Sequence, residues 1–344
     1  MNILLLTGGH SAEREVSLSS GRAILKALRE NGHFVKVVDP IYGDEDVTEE
    51  IIFKDNIKRD YPTKEKIREL QKKSSRRLLD CINSSLLDNI DLVFIGLHGK
   101  YGEDGKVQTL LDIRGKKYTG SGVLSSILAM DKSVSKAILR YKGIPTPDWI
   151  TLFKENNISA EKIFSDLQSG FGFPCVVKPN DEGSTVGMTI LYKSDEPAFK
   201  KAIELAYDFS DKIIIEKYIK GREITVPVIG DESFPVIEII PIDGYYDYEH
   251  KYSKGMTEYI CPAEINKRVE IQAKEIALQT HKYLECSVYS RVDFILDESG
   301  QLHCLELNTL PGMTGTSLVP KSALKNDMDF NMLIEKIISL SLNK

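Results

Sequence analysis

The chain lacks a basic excess: across 344 residues, 45 lysines and arginines stand against 51 aspartates and glutamates, giving a net charge of -6 and a pI near 5.7. Non-specific nucleic-acid binding needs the opposite balance, so nucleic acid is excluded as a partner and any phosphate chemistry must be local. Long apolar runs are missing too. The opening run, residues 3–6, is too short for a signal-peptide core. No stretch approaches the ~18 apolar residues of a membrane helix, which points to a cytoplasmic protein without a membrane partner. The five cysteines, Cys81, Cys175, Cys261, Cys286 and Cys304, form no C-x-x-C pair and are expected as reduced core residues. Two nucleotide signatures are also absent: the G-x-x-x-x-G-K-[ST] P-loop, and the H-R-D and D-F-G pair of protein kinases. What remains is a soluble globular composition, 42% hydrophobic and 28% charged, in a chain long enough for two or three domains.

The richest stretch lies near the C-terminal end. Two apolar runs, 292–296 and 302–307, flank Asp297-Glu298-Ser299-Gly300, which is hairpin-turn chemistry between two strands. Residues two apart on a strand share a face, so Glu306 and Asn308 project together and Asp293 joins them from the neighbouring strand. Three oxygen ligands without sulfur or imidazole suit a hard cation such as Mg2+, which takes one or two carboxylates plus substrate phosphates. A merely solvated hairpin face would carry similar residues. The neighbourhood favours the site: Arg291 adds a fixed cation, and residues 309–317 form a loop able to aim backbone N–H groups at an anion.

At the other end, residues 2–7 read as a buried parallel strand, broken by Gly8-Gly9 before a helix from Ser11 through about Glu30 and a second strand at 34–38. This βαβ pattern predicts a parallel sheet with a ligand crevice at the strand C-termini. Glu13 and Ser17 are expected to face that crevice, the alternative being that Ser11 and Glu13 only cap the helix. Residues 43–66 are highly charged, read as an exposed excursion and receive no role, and apolar spacing from Ile67 to Leu86 then predicts a helix. A strand at 91–97 leads into His98-Gly-Lys-Tyr-Gly-Glu-Asp-Gly, where His98 has no Ser or Cys nucleophile beside it and is assigned an orienting role.

Tyr118-Thr-Gly-Ser-Gly122 is turn chemistry closing a first domain, and a helix over 131–141 carries Lys132 near its start. A strand at 174–179 ends in Lys178 beside the loop Asn180-Asp-Glu-Gly-Ser-Thr-Val-Gly, an arrangement able to cradle phosphate. Residues 213–219 and 223–229 read as strands around Lys220-Gly221-Arg222, either a plain hairpin or a purine-binding edge using Glu216 and Glu223. The stretch 243–255, dense in tyrosine and containing Lys251 and Tyr252, has the composition of a mobile lid or of a partner surface. Helices over 266–284 and 330–342 read as scaffold.

In order along the chain, Gly8-Gly-His-Ser-Ala-Glu-Arg-Glu-Val-Ser-Leu, Leu97-His-Gly, Gly102-Glu-Asp-Gly, Tyr118-Thr-Gly-Ser-Gly, Val177-Lys-Pro, Glu182-Gly-Ser-Thr-Val-Gly-Met, Tyr248-Glu-His-Lys-Tyr and Leu305-Glu-Leu-Asn-Thr-Leu-Pro-Gly-Met-Thr resemble the motifs of the D-alanine:D-alanine ligases of the ATP-grasp superfamily. The likeness runs from residue 2 to about Pro320. It implies an α/β and α+β ATP-grasp architecture with a Rossmann-like domain at 1–120, a central ATP-grasp subdomain at 121–215 and a C-terminal one, with metal site and lid, at 216–344.

By that resemblance Lys132 and Lys178 would touch the phosphates of ATP, while Glu216, Lys217, Ile219 and Glu223 would line the adenosine. Asp293, Glu306 and Asn308 would hold two Mg2+ ions, with Mn2+ able to substitute. Glu13 would meet the ammonium of the first D-alanine and, with Ser184 and Tyr252, form a hydrogen-bonded triad that pins the lid shut. Arg291 and the Gly312 N–H would make an oxyanion site. Ser317 and Leu318 would receive the second carboxylate, with Ser17, His98 and Lys251 also on the substrate side. The implied reaction makes D-alanyl-D-alanine for peptidoglycan precursors through an acyl phosphate, in a homodimer. Rival readings are a ligase taking D-serine or D-lactate second, a carboxylate kinase, and a nucleotide-binding protein without catalysis. Lys251-Tyr252 favours an amine nucleophile, Ser317 argues against a kinase, and the intact Arg291, Asp293, Glu306, Asn308 and Ser184 argue against a silent binder. The lid departs slightly, reading Glu-His-Lys-Tyr where many relatives have Glu-Ala-Lys-Tyr.

Overall fold

The computed structural model describes residues 1–54, 74–242 and 257–344. The expected lid residues Lys251 and Tyr252, and the part of the charged excursion from 55 to 66, lie outside the described residues. Strands β1 (Asn2–Leu6), β2 (Phe34–Val38) and β3 (Leu92–Ile95) form a parallel sheet in the order β2-β1-β3. Ile3, Leu4, Leu5 and Leu6 are wholly buried, because a central parallel strand is covered on both faces and so reads as an unbroken apolar run. The helix Arg14–Glu30 covers one face through Leu18, Ile24, Leu25 and Leu28. It begins three residues later than the sequence suggests, and Glu13 makes no side-chain capping bond. The C-terminal helix Phe330–Leu342 also returns to this sheet, burying Leu333, Ile334 and Ile337 in its core. Asn31 donates to the Asn331 carbonyl at 3.0 Å, and His33 Nε2 lies 2.6 Å from Glu335 Oε1.

A second sheet is antiparallel, with β4 (Trp149–Phe153), β5 (Cys175–Pro179), β6 (Thr189–Leu191) and β7 (Lys212–Lys217) in the order β4-β7-β5-β6. Helices Ala160–Ser169 and Glu196–Tyr207 cover it through Phe164, Leu167, Phe199 and Ala206. The third sheet joins β8 (Gly221–Ile229), β9 (Glu232–Ser233), β10 (Ile237–Pro241), β11 (Thr257–Ile260), β12 (Tyr289–Asp297) and β13 (Leu302–Asn308) in the order β11-β10-β8-β12-β13, with β9 on β8. Its core takes in Ala273, Ile276 and Ala277 of the helix Lys267–Tyr283, and also Ala129 and Leu139 of the helices Val123–Met130 and Lys132–Tyr141.

One expectation is corrected here. The stretches 213–219 and 223–229 are not a hairpin, because β7 pairs with β4 and β5 in the second sheet while β8 pairs with β10 and β12 in the third. Ile213, Ile214 and Ile215 of β7 are completely buried, each contributing about 1.5–3 kcal/mol relative to exposure. With both edges of β7 paired, β8 has no edge to join, and residues 218–220 carry the chain from one sheet to the other. A division at 215/216 therefore falls within β7. All five cysteines are free, and burial pushes the Cys175 and Cys304 thiols up to about 12. Among the described residues no helix is long and apolar enough to cross a membrane.

Candidate active site

A cavity of about 410 Å³ lies between the second and third sheets. The crossing from β7 to β8 builds two of its walls, placing Glu216, Lys217 and Ile219 on one side and Glu223 on the other. Apolar surface comes from Val176 and Ile190 of the second sheet and from Ile239 and Ile295 of the third, with polar groups set among them. That mixture is the usual lining of a small-molecule site. Lys132, Lys178, Ser184, Asp293 and Glu306 line the same space. Residues scattered over more than 170 positions of the chain are thus brought to one cavity.

Two of the three lysines lining the cavity, Lys132 and Lys178, are answered by carboxylates. Lys132 Nζ stands 3.2 Å from Glu306 Oε2 and donates to the Glu182 carbonyl at 2.7 Å. Burial disfavours its ammonium, yet Glu306 outweighs that cost and raises its pKa above the ordinary lysine value. Lys178 Nζ lies 2.7 Å from Glu216 Oε2, and Lys136 Nζ lies 3.0 Å from Glu216 Oε1. Burial would raise the Glu216 pKa, but the two ammoniums hold it below the ordinary carboxylate range.

The strand pair expected from the sequence is present in the expected register, Asp293 opposite Glu306 and Arg291 opposite Asn308. Arg291 grips Asp293 with two bonds of 2.8 and 2.7 Å, Thr225 donates to Asp293 Oδ1 at 2.6 Å, and Asn308 donates to Oδ2 at 3.1 Å. Asp293 is therefore a buried, fixed carboxylate and not a solvated surface group. No group of three or more His, Cys, Asp and Glu side chains is arranged to hold a metal among the described residues. The donor set is two carboxylates and an amide, all hard oxygen donors, so its chemistry fits Mg2+ and not zinc.

At one end the lining of the cavity touches the start of the helix Arg14–Glu30. Ser184, which lines the cavity, donates to Glu13 Oε1 across 171 positions of sequence. Ser184 and Thr185 both adopt left-handed backbone, φ 47° and 59°, a strained pair of the kind found at ligand-clamping loops. His98 is buried, its Nε2 3.0 Å from Ser20 Oγ and its Nδ1 2.9 Å from the Leu310 carbonyl. Burial opposes its imidazolium, but Glu103, Glu13 and that carbonyl prevail and raise the His98 pKa. Through His98 the helix Arg14–Glu30 and the loop after β3 are thereby tied to the loop after β13. Within it, Thr314 N–H donates to Ser317 Oγ at 2.9 Å, and Ser317 leads into the helix Leu318–Leu324.

Two expectations need revision. Ser17 does not face a crevice: it is fully buried, donates to the Gly96 carbonyl at 2.6 Å and accepts from Gly8 N–H at 2.8 Å. Its hydroxyl is used to hold the Gly8-Gly9 turn. Leu318 is buried against Ile237 and Ile239, so its side chain belongs to packing and any part in receiving a carboxylate falls to its backbone N–H at the head of the helix Leu318–Leu324. Four charged residues near the site went unassigned in the sequence. Glu103 touches His98 at 3.5 Å, Lys100 pairs with Glu182 at 2.6 Å, and Lys136 pairs with Glu216. Glu103 and Glu182 stand within the family motifs and Lys136 follows Lys132 by one helical turn, but none of these signals names what the side chain touches.

Two antiparallel sheets closing on a cavity, with lysines on its walls and a fixed carboxylate pair, define the class of ATP-grasp enzymes. Known proteins narrow this further. The family model described as D-ala D-ala ligase N-terminus matches residues 2–121, and that described as D-ala D-ala ligase C-terminus matches residues 138–339. The D-alanine–D-alanine ligase of Halalkalibacterium halodurans is 40% identical over 100% of both chains. That of Pelotomaculum thermopropionicum is 37% identical over 99% of this chain and 97% of its own. The crystal structure of the Bacillus anthracis D-alanine–D-alanine ligase complexed with ATP superposes with a TM-score of 0.73 at 33% identity, covering 100% of this chain and 97% of that one. The chain belongs to the D-alanine–D-alanine ligase family.

Proposed function

We infer that the protein joins two D-alanines into D-alanyl-D-alanine at the expense of ATP, forming ADP and phosphate, and so supplies a peptidoglycan precursor. The observation that carries this reading is the continuity of the site. Ser184 lines the cavity between the sheets and also donates to Glu13 at the start of the helix Arg14–Glu30, so the nucleotide cavity and the carboxylate assigned to the first D-alanine's ammonium are joined through one side chain.

The chemistry follows from the weakness of a carboxylate as an electrophile. The γ-phosphoryl group passes from ATP to a carboxylate oxygen of the first D-alanine, and ADP leaves with the electron pair of the broken P–O bond. The amine of the second D-alanine then forms the C–N bond, the acyl C–O bond breaks, phosphate departs and the amine loses its proton. Lys132 and Lys178 lie where they can pair with the phosphates, and Glu216, Lys217, Ile219 and Glu223 enclose the adenosine. Asp293, Glu306 and Asn308 would hold Mg2+, two ions or Mn2+ in their place, which when bound neutralises charge on the transferring group. Arg291 and the Gly312 N–H face the developing oxyanion, with Asp293 fixing the guanidinium. Glu13 receives the first ammonium, His98 orients the loop through Leu310, and Ser317 at the head of its helix receives the second carboxylate. Lys251 and Tyr252, outside the described residues, are assigned by the family resemblance the role of keeping water from the acyl phosphate. Replacement Tyr252→Phe is expected to raise the ratio of ATP hydrolysed to dipeptide made, and an unchanged ratio would remove the lid from the account.

The protein is further assigned to the cytoplasm, as a homodimer acting on small molecules and on neither nucleic acid nor membrane. Substrate choice is tested by ADP release with Mg2+ and ATP in the presence of D-alanine, D-serine, D-alanine plus D-lactate, or L-alanine. Release with D-alanine alone supports the reading. Release only when D-lactate accompanies D-alanine would reassign the second substrate.

A further inference from the structure

We propose that Lys136 is a positioning residue for nucleotide binding: it is the standing counter-ion of Glu216, and so frees Lys178 to leave that carboxylate for a phosphate. The inference rests on the assignment of the cavity to ATP. Lys132 and Lys136 lie one turn apart on the same helix, but only Lys132 reaches the cavity. Lys136 is wholly buried behind the wall, 0% exposed, and no ligand in the cavity can reach it.

Its surroundings fix it there. Besides the 3.0 Å ion pair with Glu216 Oε1, Nζ donates to Thr146 Oγ1 at 2.6 Å and to the Pro147 carbonyl at 3.3 Å, and it lies 5.6 Å from the centre of the Trp149 ring. Thr146 Oγ1 donates onward to the Cys304 carbonyl at 2.8 Å, while Trp149 sits opposite Glu216 in the second sheet. The ammonium is therefore anchored to both sheets that form the cavity. Burial lowers its pKa, Lys178 pushes the same way and Glu216 opposes both, which marks Glu216 as the charge that justifies a cation here.

Glu216 is 3% exposed and has one lysine on each oxygen. The two lysines are not equivalent. Lys178 lines the cavity, so an arriving phosphate competes with Glu216 for its ammonium. If Lys178 were the sole partner, that exchange would strand a buried carboxylate, a penalty charged against binding. With Lys136 in place the carboxylate stays paired throughout. Lys136 never touches the nucleotide, yet it sets what Lys178 gives up when the nucleotide binds.

The test measures ATP binding by calorimetry, together with the KM values for ATP and for D-alanine, in the wild type, Lys136→Met, Glu216→Gln and the double variant. Lys136→Met is expected to weaken ATP binding and raise its KM by about tenfold or more. The kcat and the KM for D-alanine at saturating ATP should stay within about threefold, because Lys136 acts only on the exchange at Lys178. In the Glu216→Gln background there is no carboxylate to hold, so removing Lys136 should cost less than about twofold further. Wild-type ATP affinity in Lys136→Met, or an equal loss in both backgrounds, overturns the proposal. Should Lys136→Met fail to fold, Lys136→Gln, which removes the charge but keeps a donor for Thr146, takes its place in the same four-way comparison. A wild-type protein that binds no ATP would remove the nucleotide reading itself, a result distinct from ATP binding that ignores Lys136.

Discussion

Gly183 shows how little room surrounds the Glu13–Ser184 contact. A Cβ at Gly183 would lie 2.8 Å from Glu13 Oε2, and one at Gly99, φ +68°, would meet the same oxygen at 2.8 Å. Gly183 is not among the glycines with positive φ, so alanine suits its backbone and the cost falls on Glu13 alone. Gly183→Ala is expected to lower ligation about tenfold with a near-normal melting temperature, since a misplaced catalytic group costs far more rate than stability. Unchanged turnover would mean that the position of Glu13 is irrelevant. At the opposite end of the cavity, Glu306→Gln or Lys178→Ala should each reduce ligation by roughly 100-fold or more, by removing charge stabilisation from phosphoryl transfer. Near-normal rates in either variant would show the phosphate end to be misplaced.

Residues differed in how legible they were. Asp293, Glu306 and Asn308 could be grouped because a strand repeats every two residues and a four-residue turn sets the partner. Lys178 beside its Gly-Ser-Thr loop and Glu223 on its strand carried local signals, whereas Lys132 needed the family resemblance, as nothing around it tells a cavity lysine from a surface one. Ser17 misled because a hydroxyl at a helix start serves a ligand or its own backbone equally well, and here the Gly8 N–H and Gly96 carbonyl take it. Lys136 was invisible in role because its partner, Glu216, lies 80 positions away on a strand.

Among elements, the strands were legible and their partners were not. β7 and β8 were read in about the right places, yet three connecting residues look alike whether they turn a hairpin or cross between sheets. Tertiary burial of Ile213, Ile214 and Ile215 makes that choice. The helix Lys132–Tyr141 offers an element-scale test. Asp131 caps it by accepting from Val134 N–H at 3.0 Å, and Lys212 of β7 reaches the same carboxylate at 2.8 Å. Asp131→Ala is expected to cost about 1–2 kcal/mol by loss of the cap. Burial pushes the Asp131 pKa up, but Lys212 and its other donors prevail and hold it below the ordinary value. The folded protein thus binds its proton less readily than the unfolded chain. Its stabilisation is complete above the ordinary carboxylate pKa and lost as pH falls through the lower folded value. Denaturant melts of wild type and variant should therefore converge below about pH 4. A difference that persists into strong acid would assign the effect to something other than this carboxylate.

For the molecule as a whole, the sequence located a βαβ start and the hairpin of β12 and β13 but not the route by which the chain's end returns to its beginning. The helix over 330–342 was read as scaffold within the stretch 216–344, and its apolar face packs on the first sheet. Periodicity reveals an apolar face without naming what it covers. Ile337→Ala, at a fully buried position, is expected to cost about 2–5 kcal/mol, read as a lower denaturant midpoint with the KM for ATP unchanged. A loss within about 0.5 kcal/mol would deny that helix a place in the core.

The most direct test of the account is the product itself: purified protein, Mg2+, ATP and D-alanine, with ADP counted and the condensation product identified by mass. The account predicts D-alanyl-D-alanine and ADP in equal amounts. ADP without dipeptide, or neither product while ATP still binds, would contradict it.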